Sequence, residues 1–97
     1  MRVIAKSTFR DFWINHKDCE QQRKSWFNET ERATWSSPAD IKTDYPSASI
    51  LPGNRVVFNI KGNTYRLIVK INYKAGVLLI RFVGTHKEYD QINAETI

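Results

Sequence analysis

The clearest pattern of apolar and polar positions in the chain lies between residues 55 and 89. Successive side chains of a strand point to opposite faces, so an alternating pattern indicates a half-buried strand. The alternation predicts three strands, over about residues 55–61, 64–72 and 77–83. Gly62-Asn63 and Lys74-Ala75-Gly76 separate these strands and contain residues that accept the positive φ of tight turns. The segment is therefore predicted to fold as a three-stranded antiparallel meander.

Strand alternation divides the side chains of this meander between two faces. The face expected to pack against other elements is wholly apolar: Val56, Phe58, Ile60, Tyr65, Leu67, Val69, Ile71, Leu78, Ile80 and Phe82. The opposite face is expected to carry aliphatic residues together with polar and basic ones, namely Arg55, Asn59, Lys61, Arg66, Lys70, Asn72 and Arg81.

The N-terminal half predicts a short strand followed by helices. Residues 2–6 alternate enough for a strand, and Thr8 with Asp11 resembles the capping box that starts a helix. Apolar and aromatic residues then recur at helical spacing: Phe9, Phe12, Trp13 and His16. A second helix is predicted over about residues 19–33, with Asp18 as its cap. Its apolar stripe is expected to cover the sheet: Cys19, Trp26, Phe27, Thr30 and Ala33.

A third, short helix is predicted from Ser37-Pro38 and should end before Tyr45-Pro46, because proline restricts the residue before it. Residues 47–54 are expected to form a connecting loop. After the last strand, Thr85 to Glu88 could cap one helical turn, and the tail from Gln91 is expected to be loosely held. The order predicts a single α+β domain over residues 1–97, with helices on one face of an antiparallel sheet and the other face bare.

Charge changes the interpretation of that bare face. The 97 residues carry a net charge of +5, and no Asp or Glu occurs between Asp44 and Glu88, where seven Lys or Arg occur. Such a surface favours a polyanionic partner, nucleic acid or less often an anionic membrane, over an ordinary solvated face. No apolar run reaches membrane-spanning length, the N-terminus is unlike a signal peptide, and Cys19 is the single cysteine. These features predict a cytoplasmic protein.

Several kinds of active site are excluded by residue spacing. His16 and His86 lie far apart, and Cys19 has only His16 nearby, so no zinc-site spacing occurs. The chain lacks a glycine-rich phosphate loop and a serine-nucleophile motif. No metal and no cofactor are therefore expected.

The remaining candidates are cations with one histidine and one tyrosine. His86 and Tyr89 would share one side of a helical turn, and Arg66 and Lys61 would face the same surface. This set suits metal-free RNA cleavage, in which the ribose 2′-hydroxyl attacks its own phosphate and the protein supplies proton transfer and positive charge. Lys61, crowded by Arg66 and Lys70, could have a lowered pKa and act as the base. A histidine after a strand can equally be a surface or capping residue.

Longer motifs carry a resemblance to a known family. The runs VFNIKGN-YRL (Val57 to Leu67), INYK (Ile71 to Lys74) and RFVGTH-EYD (Arg81 to Asp90), with VIAKSTFRDFW and SSPADIK upstream, resemble the HigB-type mRNA interferase toxins of the RelE/ParE-like superfamily. The resemblance implies a RelE-like β-α-α-β-β-β fold and a toxin that cuts translated mRNA in the A site of the 30S ribosomal subunit. It also implies a helix-turn-helix antitoxin, through which alone the toxin would reach operator DNA.

The same resemblance implies roles for individual residues. Arg66 matches the phosphate-binding arginine, His86 the acid or charge-stabilising residue, and Tyr89 the tyrosine that stacks on a base. Lys61 resembles the basic residues of the preceding strand, but relatives often carry two lysines there, where this chain has Asn59 and Lys61. The identity of the general base is therefore left open. The residues expected to bind RNA are Arg55, Asn59, Lys70, Asn72, Tyr73, Lys74, Arg81 and Lys87.

Two other functions remain compatible with the sequence. A non-catalytic module that binds RNA or the ribosome would use the basic surface without His86 or Tyr89. An inhibitor of gyrase, as in the ParE branch of the superfamily, would share the fold, and fold alone does not decide function.

Overall fold

A computed structural model of the chain describes residues 1–62 and 64–97, except for the side chains of Lys6 and Thr8. The predicted Gly62-Asn63 turn therefore lies partly outside the described residues. The prediction that the first helix starts at Thr8 is wrong, because that helix begins at Lys6 and has Ala5 as its N-cap. The elements follow one another as β1 (Arg2–Ile4), α1 (Lys6–Ile14), a 3-10 turn (Lys17–Cys19), α2 (Glu20–Arg32), α3 (Pro38–Asp44), β2 (Ser49–Leu51), β3 (Arg55–Ile60), β4 (Tyr65–Asn72), β5 (Val77–Thr85) and α4 (His86–Tyr89).

The strands form one five-stranded sheet in the order β1-β5-β4-β3-β2. Strands β2 to β5 pair antiparallel, as predicted, whereas β1 runs parallel to β5, with Arg2 opposite Val77. The sheet is therefore mixed rather than wholly antiparallel. It also gains β2 as an edge strand, in the segment predicted to be a loop. The α+β class, with α1, α2 and α3 packed on one face, is confirmed.

The hydrophobic core lies between these helices and the sheet. The helical aromatic residues Phe9, Trp13 and Trp26 are buried against the predicted apolar face of the sheet. The Phe9 ring contacts Trp13 edge to face, and its centroid lies 5.3 Å from that of the Trp26 ring. Trp26 in turn contacts Phe58 of β3. Burial of such large apolar side chains is the main favourable term in folding. The prediction that the helical stripes form core is confirmed.

A β-bulge changes the predicted alternation along β5. The partner of Ile68 is Phe82, but the partner of the next residue, Val69, is Ile80, so Arg81 is an extra residue in β5. The bulge moves Phe82 to the face shared with Arg66 and places Val83 against the core. The prediction that Phe82 belongs to the apolar face is therefore wrong.

We call the side of the sheet away from α1, α2 and α3 the outer face; its β3 and β4 residues are Arg55, Val57, Asn59, Arg66, Ile68, Lys70 and Asn72. This face is not bare. Val57 and Ile68 are buried, and α4 lies against it, with Tyr89 beside Arg66. The tail also contacts it, because the guanidinium groups of Arg55 and Arg81 donate hydrogen bonds to the main-chain oxygen of Ile97.

No helix among residues 1–62 and 64–97 is long and apolar enough to cross a membrane.

Candidate functional site

The candidate site is organised by α4, the single helical turn that follows β5 directly. The predicted capping box is present: Glu88 N donates to Thr85 Oγ1 at 3.2 Å, and Thr85 N donates to Glu88 Oε1 at 2.9 Å. The main-chain N–H of Thr85, which donates to this carboxylate, contributes most to lowering the pKa of Glu88, so the side chain carries the negative charge that completes the cap. The cap fixes the direction of α4, and thereby the positions of His86 and Tyr89.

Arg66 connects three elements at this end of the sheet. It lies opposite Asn59 in the β3–β4 register and donates a hydrogen bond from Nη1 to Asn59 Oδ1. Its guanidinium carbon also lies over the ring of Tyr89, 5.5 Å from the ring centroid. A cation and a half-buried aromatic ring, from β4 and α4, are therefore held together on the outer face.

Gly84 allows this arrangement because it leaves space above β5. It pairs with Arg66, and a Cβ atom placed on it would lie 2.6 Å from Cζ of Phe82 and 3.2 Å from Cβ of Glu88. A side chain at this position would therefore collide with the Phe82 ring and crowd the first turn of α4.

His86 is held by a carboxylate that the sequence interpretation missed. Its Nδ1 lies 3.0 Å from Oδ2 of Asp90, four residues later, and both side chains are about half exposed. With a proton on Nδ1, the ring donates a hydrogen bond to Asp90, and Nε2 is then the ring nitrogen available for proton transfer. The i, i+4 spacing in the HKEYD run was the signal that could have identified Asp90.

Lys61 lies elsewhere than expected. It follows the end of β3 with a left-handed φ of 55°, so its side chain does not continue the alternation of the strand. Its Nζ bonds Oδ2 of Asp18 at 2.8 Å, and the other oxygen of that carboxylate accepts a 2.8 Å hydrogen bond from Tyr65. The Lys61 ammonium, and after it the Tyr65 hydroxyl, lower the pKa of Asp18.

These contacts correct two predictions. Asp18 does not cap α2, whose N-cap is Cys19, and Lys61 does not sit among the cations of the outer face. The Tyr65 ring packs on Trp13 of α1, which places the Asp18 carboxylate and the Lys61 ammonium at the helical side of the sheet. The role of Lys61 as general base stays a prediction, and its ammonium is ion-paired here.

The residues predicted to bind RNA fall into separate groups. Lys70, Asn72, Tyr73 and Lys74 line an open groove of about 560 Å³, whose apolar side includes Ile4 and Leu79. Arg55 and Arg81 hold the main chain at Ile97, as described above. Lys87 is exposed on α4, and Asn59 contacts Arg66. The structure thus brings Arg66, Asn59 and Tyr89 together and places the lysine groove at the other end of β4.

The described part of the chain offers neither a reactive cysteine nor a cluster of metal ligands. Cys19 is fully buried, and burial raises the pKa of its thiol to about 11, so it stays protonated at neutral pH. Across residues 1–62 and 64–97, no three His, Cys, Asp or Glu side chains lie close enough together to hold a metal ion. The absence of a metal requirement stays a prediction.

Comparison with known proteins identifies relatives over almost the whole length. The HigB toxin family, the RelE-like toxic component of a toxin–antitoxin system, matches residues 19–92. The mRNA interferase toxin HigB of Escherichia coli K12 is 25% identical over 96 residues, which cover 97% of this chain and 92% of that protein. The mRNA interferase HigB of Shigella flexneri gives the same values. A further mRNA interferase HigB, from Escherichia coli O6:H1, is 21% identical over 94 residues, or 95% of this chain and 91% of that protein.

Proposed function

Because this chain belongs to the HigB family of RelE-like toxins of toxin–antitoxin systems, we propose that it is an endoribonuclease that cuts mRNA during translation, without a metal ion. Its relatives from Escherichia coli and Shigella flexneri are named mRNA interferases and match nearly the whole chain. The observation that carries the proposal is the grouping of Arg66 with Tyr89 at one end of the outer face, next to His86 on the same helical turn.

The reaction uses the RNA as its own nucleophile. The ribose 2′-oxygen forms a bond to the adjacent phosphorus as the bond from phosphorus to the 5′-oxygen breaks, which yields a 2′,3′-cyclic phosphate and a 5′-hydroxyl. A base removes the proton of the 2′-hydroxyl, and an acid protonates the departing 5′-oxygen. The protein must therefore supply proton transfer and stabilise the extra negative charge of the phosphorane.

The described residues can divide these tasks. Arg66 offers several N–H donors to the phosphate oxygens, a geometry that a guanidinium matches better than an ammonium. His86, with Nδ1 bonded to Asp90, presents Nε2 as the acid at the 5′-oxygen. Tyr89 has Arg66 on one side of its ring, and a nucleobase would stack on the other, which holds the nucleotide in line for attack.

The partners follow from the same family. The lysine groove and the rest of the outer face carry the positive charge that binding in the ribosomal A site requires, because several RNA phosphates approach one surface there. An antitoxin with a helix-turn-helix would neutralise the toxin and hold the complex on operator DNA. Such a toxin would act in the cytoplasm, where messages are translated.

Primer extension on a translated message tests this function. Wild-type protein should introduce cuts in the message, whereas Arg66→Ala and His86→Ala should each lower cutting by about a hundredfold or more and abolish growth inhibition. Arg32→Ala, at an exposed position of α2, is a matched control for loss of one arginine and should cut like the wild type. Circular dichroism should confirm that all variants are folded.

Each contrary result has a distinct meaning. Unchanged cutting by both site variants would refute the assignment of Arg66 and His86. Intact transcripts with wild-type protein, at equal ribosome binding, would identify a non-catalytic binding module. DNA breakage in expressing cells, with transcripts intact, would identify a gyrase inhibitor.

A further inference from the structure

Asn59 was expected to bind RNA, but both polar atoms of its side chain are already engaged within the protein. Its Nδ2 donates a 3.1 Å hydrogen bond to the main-chain oxygen of Ser47, and its Oδ1 accepts from Nη1 of Arg66. The two contacts require opposite ends of the amide, so they fix its orientation: a reversed amide would set donor against donor at Arg66 and acceptor against acceptor at Ser47.

The acceptor at Ser47 is itself held in place. The residues on either side, Pro46 and Ala48, both offer their main-chain oxygens to Nζ of Lys42, at 2.6 and 2.8 Å. Ala48 is also buried, and its N–H donates to the oxygen of Tyr45 at 3.0 Å. The segment that orients Asn59 is therefore tied to α3 by hydrogen bonds rather than being an unconstrained loop.

From these contacts we propose that Asn59 is a positioning residue, which fixes the guanidinium of Arg66 in the orientation that receives the scissile phosphate. This inference rests on the function proposed above. An arginine side chain has many rotamers, and holding it in one geometry costs conformational entropy. Asn59 on one side and the Tyr89 ring on the other impose that order before RNA arrives, so the reaction does not have to supply it.

The mechanism predicts where an Asn59 variant is defective. Asn59→Ala removes the acceptor for one N–H of Arg66 but leaves the charge and the stacking ring in place. RNA should therefore bind with little change, while the guanidinium is misplaced in the transition state. We expect the half-saturating toxin concentration to stay constant and the maximal rate of cutting to fall about tenfold.

A double-mutant cycle with toxin in excess over ribosomes programmed with message measures this coupling. Asn59→Ala, Arg66→Ala and the double variant are compared with wild type in single-turnover cutting. If Asn59 acts through Arg66, replacing Asn59 should not lower the cutting rate any further in a protein that already carries Arg66→Ala. Asn28→Ala, an exposed asparagine of α2, is the matched control and should cut at the wild-type rate. The proposal would be overturned if Asn59→Ala lowered the cutting rate by the same factor in the wild-type protein and in the Arg66→Ala variant.

A second measurement does not depend on cleavage. Nitrogen-15 relaxation of the Arg66 Nε–H group reports the order of its guanidinium, and this order should fall in Asn59→Ala while backbone order is retained. Unchanged order at Arg66 would refute the positioning role even if the protein proved not to cut RNA. A wild-type protein that leaves programmed message intact, with the order at Arg66 still lost in the variant, would refute only the proposed function.

Discussion

At the scale of single residues, Lys61 illustrates how one backbone angle decides what a side chain can do. Strand alternation placed its ammonium with Arg66, but the left-handed φ of Lys61 turns the side chain toward the 3-10 turn and Asp18. The left-handed conformation costs a non-glycine residue roughly 1–2 kcal/mol. The ion pair with Asp18 and the adjoining Tyr65 hydroxyl help to offset that cost, so this residue contributes to stability at the edge of the site.

The Asp18 carboxyl should make stability depend on pH in the acid range. Its pKa is lowered below the ordinary 3.8, first by Lys61 and then by Tyr65, so the folded state holds the charged form better than the unfolded state does. Its contribution is present above about pH 4 and is lost as pH falls through the lower folded pKa. Urea unfolding should show wild type more stable than Asp18→Asn at neutral pH, with the difference shrinking in acid.

Lys61→Met provides the internal check for that experiment. Because the Lys61 ammonium contributes most to lowering the Asp18 pKa, its removal should shift the acid-dependent loss to higher pH. A wild-type advantage over Asp18→Asn that stays constant down to about pH 2 would show that the carboxylate contributes nothing specific to folding.

At the scale of elements, turns and helix caps, which depend on the residue types of a short segment, were predictable from the sequence. Features that depend on which strands pair, and in what register, were not. Gly76 at positive φ and the Thr85–Glu88 capping box follow from residue type alone, and both occur as predicted. The bulge at Arg81 and the parallel pairing of β1 depend on which strands meet and in what register, and alternation along one strand carries no such information.

The candidate site was predictable to a similar extent. Residue type and motif predicted Arg66, His86 and Tyr89 as site residues, which stays a prediction, and the structure holds Arg66 against Tyr89. The partners that orient them were not identified, since Asn59 acts through a contact between strands and Asp90 through a contact across α4. The contact of Asn59 with Arg66 becomes visible only when β3 and β4 are paired, whereas the i, i+4 spacing of His86 and Asp90 is present in the sequence itself.

The capping box should matter more for activity than for stability. Thr85→Ala removes one reciprocal bond of the cap and should cost about 1 kcal/mol in the free energy of unfolding. Because α4 is a single turn that carries His86 and Tyr89, the same change should also displace these side chains. We expect the rate of RNA cutting to fall about tenfold, which is more than the loss of folded protein alone would cause. Urea unfolding and single-turnover cutting measure the two effects on the same preparations.

Thr43→Ala is the matched control, because this exposed threonine of α3 bonds only to Ala39 of its own helix. It should cut RNA at the wild-type rate. If Thr85→Ala did the same while losing about 1 kcal/mol of stability, the cap would have no part in placing the catalytic side chains.

At the scale of the whole molecule, charge is distributed unequally between the two sides of the sheet. The acids Glu20, Glu29 and Glu31 lie on α2, whereas the charged residues of β3, β4 and β5 are all basic: Arg55, Arg66, Lys70 and Arg81. The strands of the outer face are therefore wholly basic, with the acids Glu88 and Asp90 confined to α4 and the residue after it, while the helical side keeps both signs. If RNA is the substrate, as proposed above, this unequal distribution should attract it over long range before any specific contact forms.

Binding to programmed ribosomes should weaken steeply with salt, because several phosphates are neutralised together. Replacing Lys70 or Lys74 of the groove with glutamine should lower the slope of log affinity against log salt by about one for each residue. Lys24→Gln, in the Glu20 ion pair of α2, is the charge-matched control and should leave the slope unchanged. Equal slopes in all three variants would exclude the groove as an RNA-contact surface.

The parallel pairing of β1 with β5 has a consequence for biosynthesis. Arg2 pairs with Val77, so this contact can form only after residue 77 has been synthesised and has left the ribosomal exit tunnel. Proteins rich in such long-range contacts fold slowly, because distant segments must meet before the contacts stabilise them. Strand β5, and α4 with His86 and Tyr89, follow the other elements along the chain and therefore emerge after them. Under the function proposed above, a nascent chain that stops short of α4 would lack His86 and Tyr89 and should therefore leave its own message uncut.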